Sequence, residues 1–161
     1  MAVKEKTNAI RLLDQKKISY RLHDYTDSGA VAGMEVATIL GEDPHTVFKT
    51  LVTVGAGGKN YVFIVPVCGE LDLKKAARIA GEKWVEMIRA RELLPLTGYI
   101  HGGCSPIGMK KLFPTWIDDS ARACDTICVS GGRVGYQVQL TPADLARAVP
   151  YTFADLLLER Q

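Results

Sequence analysis

The sequence predicts a mixed α/β fold: a strongly curled sheet of mixed strand direction, flanked by helices, with residues 1–161 forming a single domain. Apolar runs on either side of Gly55-Ala56-Gly57-Gly58-Lys59-Asn60 read as a hairpin, so part of the sheet is antiparallel. Helical segments interrupt the strands at no fixed repeat, which disfavours the regular strand–helix alternation of a Rossmann-type sheet. A chain of 161 residues, 47% of them hydrophobic, suits one domain that buries roughly 70% of its unfolded surface without a staple.

The elements follow in order. Ala9, Ile10, Leu12 and Leu13 have helical spacing, so residues 4 to 15 form the opening helix. Ile18 to Tyr25 alternates as a half-buried strand, with Ile18, Tyr20 and Leu22 on one side. A helix near Val31 to Leu40 closes at Gly41, and Glu42-Asp43-Pro44 turns into the strand Val47 to Val54. The hairpin returns through Tyr61 to Val67. Asp72 precedes a basic helix from Leu73 to Ala80, stopped by Gly81. A short strand (Trp84 to Met87) and a short helix (Arg89 to Leu94) lead into a long loop around the strand-like piece Tyr99 to His101. Thr115 to Ile117, Thr126 to Val129 and Val134 to Leu140 complete the strands. Thr141-Pro142-Ala143-Asp144 starts a helix with a capping hydroxyl, a first-position proline and an acid, and helices close the chain.

Lys plus Arg number 20 against 18 for Asp plus Glu, a formal charge of +2. That balance excludes a general nucleic-acid coat protein, and it allows an RNA partner only through local clusters. The four cysteines form no C-x-x-C pair, and no apolar run approaches the roughly 20 residues a bilayer needs. A reduced, cytoplasmic protein without a membrane partner is expected.

Two features have chemical potential. Lys49 stands between apolar neighbours, sharing a strand face with Val47 and Leu51. Such a lysine either snorkels from a strand edge, guarding against aggregation, or faces a cavity and holds an anionic or carbonyl ligand. The segment Thr97 to Gly108 packs four glycines and a proline into a tight bend, which either connects elements or presents backbone N–H groups to an oxyanion. It lacks the Gly-Lys-Ser/Thr of a P-loop, so nucleotide hydrolysis is unsupported. His101 and Cys104 sit close in this loop, but local spacing does not make a catalytic pair. Metal binding by Cys124, Cys128 and a histidine fails on geometry, since that spacing separates the two strand sulfurs by about 13 Å. Lys74, Lys75 and Arg78 line one helix, while Lys110 and Lys111 adjoin the glycine loop and are better placed for an RNA backbone. No helix-turn-helix accompanies them, and DNA is not an expected partner.

Val47-Phe48-Lys49-Thr50-Leu51, Leu71-Asp72-Leu73-Lys74-Lys75-Ala76-Ala77, Thr97-Gly98-Tyr99 with Gly102-Gly103-Cys104-Ser105-Pro106-Ile107-Gly108, and Val129-Ser130-Gly131-Gly132 together resemble the YbaK family. Its members are bacterial Cys-tRNA(Pro) deacylases related to the editing domain inserted in many prolyl-tRNA synthetases. The resemblance runs from Ile18 to the closing helix and implies a barrel-like mixed sheet. It implies that Lys49 is the essential lysine, and that Gly102 to Pro106 is the family's G-x-x-x-P loop, with Gly102 and Gly103 positioning the ester carbonyl. It further implies that Tyr25, Thr50, His101, Cys104, Ser105, Pro106, Ser130 and Gly131 line the substrate pocket. The implied partners are aminoacyl-tRNA(Pro) and, transiently, prolyl-tRNA synthetase, with no cofactor or metal. His101, Cys104 and the pair Arg133-Val134 depart from the usual family pattern, where aliphatic, isoleucine and more basic residues are commoner.

Overall fold

A computed structural model describes residues 5–159. The opening helix α1 (Asn8–Gln15) begins where the Thr7 hydroxyl accepts from the Ile10 N–H at 3.2 Å, later than the spacing alone suggests. Residue 4 of the expected helix lies outside the described residues. Strand β1 (Arg21–Asp24) leads through a short 3-10 turn to α2 (Gly33–Leu40), which Gly41 closes as expected. β2 (Phe48–Gly55) and β3 (Asn60–Pro66) form the hairpin. Helix α3 (Leu73–Ala80) runs from the Asp72 cap to Gly81. Then come β4 (Val85–Met87), α4 (Ala90–Thr97), β5 (Thr115–Asp118), β6 (Ile127–Ser130), β7 (Tyr136–Leu140), α5 (Pro142–Ala148) and β8 (Thr152–Ala154). Thr141 caps α5 by accepting from the Asp144 N–H at 3.0 Å.

Several expectations are corrected. Helix α4 does not stop at Leu94 but continues through Pro95, which removes only one backbone bond, and so buries both Leu93 and Thr97. Tyr99 to His101 is not a strand: Tyr99 is buried and its hydroxyl donates to the Ile107 carbonyl at 2.5 Å. The chain closes on β8 rather than on helices, because Thr152–Ala154 pairs in parallel with β5. The last expected strand starts at Tyr136 rather than Val134, since Gly135 still belongs to the turn.

The strands form a three-stranded sheet, ordered β1-β7-β6, and a five-stranded sheet, ordered β4-β2-β3-β5-β8. Pairing is antiparallel except at β3–β5 and β5–β8. Between the sheets lies the main core, where Phe48, Val52, Val62 and Ile64 meet Ile127, Val129, Val138 and Leu140. The other face of the larger sheet packs Tyr61, Phe63 and Val65 on Ala76 and Ala77 of α3.

The sheets do not close into the expected barrel. Among the described residues their backbones meet through one isolated parallel bridge, Val47 to Cys128. Along the outer edge of β2, β4 pairs only with Thr53–Gly55. The stretch from Phe48 to Val52 has no strand paired to that edge among the described residues. A cavity opens there.

Candidate active site

The cavity encloses about 720 Å³, within the range of small-molecule sites. Its floor is the open edge of β2, from Val47 to Val52. One wall is the polar face of the small sheet, with Tyr25, Ser130 and Gln137; another is the start of α2; the rim carries Arg89, His101 and Gly102. Antiparallel pairing with β3 uses the backbone of the odd residues of β2, as the Val67 N–H bond to the Val47 carbonyl at 2.8 Å shows. Even residues therefore turn their backbone groups outward, and the Val52 carbonyl accepts from the Ile88 N–H at 3.2 Å. Thr50 lies in this outward register, beside the cavity.

Polar atoms on the wall are left without protein partners. Thr50 Oγ1 and Gln137 Oε1 are both buried and unsatisfied among the described residues. Each such atom costs about 1–3 kcal/mol unless something else satisfies it. Gln137 is 7% exposed, and its amide nitrogen reaches the Tyr25 hydroxyl at 3.5 Å. Lys49 is half-buried and makes no ion pair or side-chain hydrogen bond among the described residues. Glu35, which also lines the cavity, accepts from the Val31 N–H at 2.9 Å. The cavity thus presents a cationic group, two unused acceptors and a phenol that burial holds protonated.

The wall offers no activated protein nucleophile. Burial pushes the Cys104 thiol from its ordinary 9.0 up to about 12, so it stays protonated at neutral pH. The Ser130 hydroxyl accepts from the Gly132 N–H at 3.2 Å, and no histidine hydrogen-bonds to it among the described residues.

Residues 29–148 match the aminoacyl-tRNA editing domain family. The chain belongs to that family. A relative from Enterococcus faecalis (strain ATCC 700802 / V583) that carries the name Cys-tRNA(Pro)/Cys-tRNA(Cys) deacylase EbsC is 42% identical over 153 residues, covering 94% of this chain and 93% of the relative. A crystal structure described as a trans-editing enzyme for prolyl tRNA synthetase superposes with a TM-score of 0.85 at 25% identity, covering 94% of this chain and 96% of the other. The crystal structure of hypothetical protein APE2540 has the same fold, with a TM-score of 0.84 at 23% identity, over 92% of this chain and 98% of that one.

In this editing domain the expected site residues divide. Lys49, Thr50, Tyr25, His101, Gly102, Cys104 and Ser130 all line the cavity. Gly103, Ser105, Pro106 and Gly131 do not line it. Ser105 is fully buried and accepts from the Ile107 N–H at 3.2 Å, a bond that shapes the loop from inside. The Gly103 N–H is already donated to the Ile100 carbonyl at 3.0 Å, so it is not a free oxyanion donor. A Cβ at Gly103 would meet the Arg133 backbone at 2.9 Å, which explains the glycine as a close approach of two loops. Gly102, at φ +86°, lines the cavity beside His101 and Cys104, and a Cβ there would lie 2.9 Å from Val31. The N–H groups of Gly102 and Cys104 have no partner among the described residues. Lys110 passes over Gly98, where an added Cβ would lie 3.4 Å from its Cγ, and Lys111 is exposed; neither lines the cavity.

Sequence reading missed Gln137 and Arg89. Gln137 alternates with Val138 and Leu140 in the manner of a solvent face, and only α2 lying over that face turns it into a wall. Arg89 was assigned to a helix start, where it does stand as the α4 cap, and its charge at the rim depends on tertiary placement.

Proposed function

We propose that this chain is an editing enzyme that removes cysteine wrongly attached to tRNA(Pro). The observation that carries this reading is the pairing of a partnerless Lys49 with two buried, unused acceptors on a wall that has no protein nucleophile. The Gln137 Oε1 and Thr50 Oγ1 acceptors suit the α-ammonium group of an aminoacyl ester, while Lys49 suits its carbonyl or a nearby phosphate. A cavity of about 720 Å³ fits an aminoacyl group with its terminal adenosine.

The reaction then uses the substrate's own thiol. The cysteinyl sulfur attacks the ester carbonyl carbon, forming a C–S bond and an oxyanion. The acyl–oxygen bond to the ribose breaks, the thiol proton ends on the ribose hydroxyl, and water opens the cyclic thioester to free cysteine. The protein holds the ester folded on itself, where intramolecular attack is fast, and places Lys49 and the Gly102 and Cys104 amides near the developing charge. Ser105, Pro106, Gly103 and Gly131 keep the loop in place.

Arg89 and His101 at the rim, with Lys110 and Lys111 beyond it, form the surface offered to the acceptor-stem phosphates. With a formal charge of +2 the grip on RNA is weak, so prolyl-tRNA synthetase supplies tRNA selection in a transient cytoplasmic complex. Among the described residues no helix is long and apolar enough to cross a membrane. Deacylation of Cys-tRNA(Pro), with and without the synthetase, tests the reading. Release of cysteine supports it, and an inert protein in both assays overturns it.

A further inference from the structure

The polar face of the small sheet holds a second cluster outside the main cavity. His23 on β1, Glu42 just after α2 and Cys128 on β6 bring one ligand atom each to within 4.8 Å of one another. None of the three lines the main cavity. The sheet register explains the convergence. His23 pairs with Gln137 and Cys128 with Gln139, and those two glutamines point to the same face of β7. Helix α2 covers that face, with Ala37 against Cys128, and its end at Gly41 delivers Glu42 to the cluster.

The three groups come from separate segments of the chain. The Glu42 carboxylate has no hydrogen bond or ion pair among the described residues. Gln139 donates its amide to Thr126 Oγ1 at 2.8 Å, which turns its Oε1 toward His23 Nε2, also at 2.8 Å. A neutral His23 ring that donates from Nε2 to this oxygen keeps its lone pair on Nδ1. Cys128 is 1% exposed, so its sulfur is shielded from oxidants while the half-buried His23 and Glu42 leave a way in.

We propose that His23, Glu42 and Cys128 form a site for one zinc-class divalent cation, with water in the fourth position. Binding replaces the Cys128 S–H bond by a metal–sulfur bond, and the proton leaves to solvent. One thiolate and one carboxylate then balance the dication, so the filled site carries no net charge in a half-buried place. Metal–ligand bonds of about 2.0–2.3 Å set ligand atoms about 3.5 Å apart, so the cluster contracts by about 1 Å, a rotamer adjustment of His23 and Glu42. Thiolate and imidazole select zinc or cobalt over magnesium or calcium. The filled site ties the end of α2 to the small sheet, and the start of α2 is a wall of the main cavity.

Cobalt titration of the chelator-treated full chain tests this directly. One equivalent of Co²⁺ is expected to bind with a thiolate-to-cobalt band in the near ultraviolet and tetrahedral bands in the visible, and Zn²⁺ is expected to displace it. Cys128→Ser abolishes the near-ultraviolet band. Glu42→Gln and His23→Gln, at half-buried positions that tolerate change, each weaken binding by about 10–100-fold with an unaltered circular-dichroism spectrum. Lys49→Ala leaves cobalt binding intact, which separates this site from the editing cavity. Absence of a thiolate band, its survival in Cys128→Ser, or unchanged affinity in folded Glu42→Gln overturns the proposal.

Discussion

Thr50 and Thr53 lie three residues apart on the same strand, so their side chains take opposite faces of it. Thr53 is fully buried, and its hydroxyl donates to the Tyr61 carbonyl at 3.0 Å in the part of β2 that β4 covers. Thr50 sits where that outer edge is open, and its buried hydroxyl oxygen has no partner among the described residues. The first is satisfied by the protein. The second, with Lys49 beside it and Gln137 across the cavity, is satisfied by nothing the protein supplies. A fold that leaves polar atoms unpaired in one half of a strand and pairs them in the other marks the first half for a ligand.

The largest effect that would break this comparison is expected at Lys49. Lys49→Ala should lower single-turnover deacylation of Cys-tRNA(Pro) by about 100-fold or more while thermal unfolding stays within a degree or two. An active Lys49→Ala protein would return this lysine to a guard on a strand edge. Next come the orphaned acceptors. Thr50→Val and Gln137→Met are each expected to cost about tenfold in kcat/KM and to leave stability unchanged or slightly raised, because each removes an unpaired buried group. A clear loss of stability in denaturant titrations would show that the protein itself satisfies them.

Thr53→Val sharpens the comparison from the other side. Loss of one buried hydrogen bond should cost about 1 kcal/mol in urea denaturation, with deacylation unaffected. The smallest effect on activity is expected at Cys104. Its thiol stays protonated up to about pH 12, so Cys104→Ala should keep the pH–rate profile between pH 6 and 9. Its effect on stability has a definite sign. The folded thiol holds its proton above 9.0, where the unfolded one releases it, so stability falls as pH rises from about 9 toward about 12. Removing the thiol should flatten that alkaline limb. An altered rate profile at neutral pH would make Cys104 a participant.

Local chemistry made much of this fold legible. The Asp72 and Thr141 caps, the glycines at helix ends and the glycine-rich hairpin were readable because each acts within a few residues. The failure of barrel closure was not, because it depends on how far β4 extends along β2. Strand β8 was hidden for the same reason: Thr152–Ala154 becomes a strand only by adding to β5. At the site, Lys49 stood out as a charge among apolar neighbours, and the glycine loop as a backbone under constraint. Composition could not separate Gly102, on the cavity, from Gly103, wedged against Arg133. Ser105 and Pro106 were read as substrate contacts, yet Ser105 spends its hydroxyl inside the loop and neither lines the cavity. Gln137 went unnoticed because a polar residue on an alternating strand reads as solvent-facing until a helix is laid over it.

The central claim is that the open edge of β2 holds a substrate which attacks itself. It is tested most directly by single-turnover deacylation of tRNA(Pro) charged in turn with cysteine, serine, alanine and proline, with the synthetase present. Rapid release of cysteine, with serine retained although it differs only in replacing sulfur by oxygen, is the expected result. Release of serine as fast as cysteine would contradict thiol-assisted chemistry and point instead to water activated within the cavity.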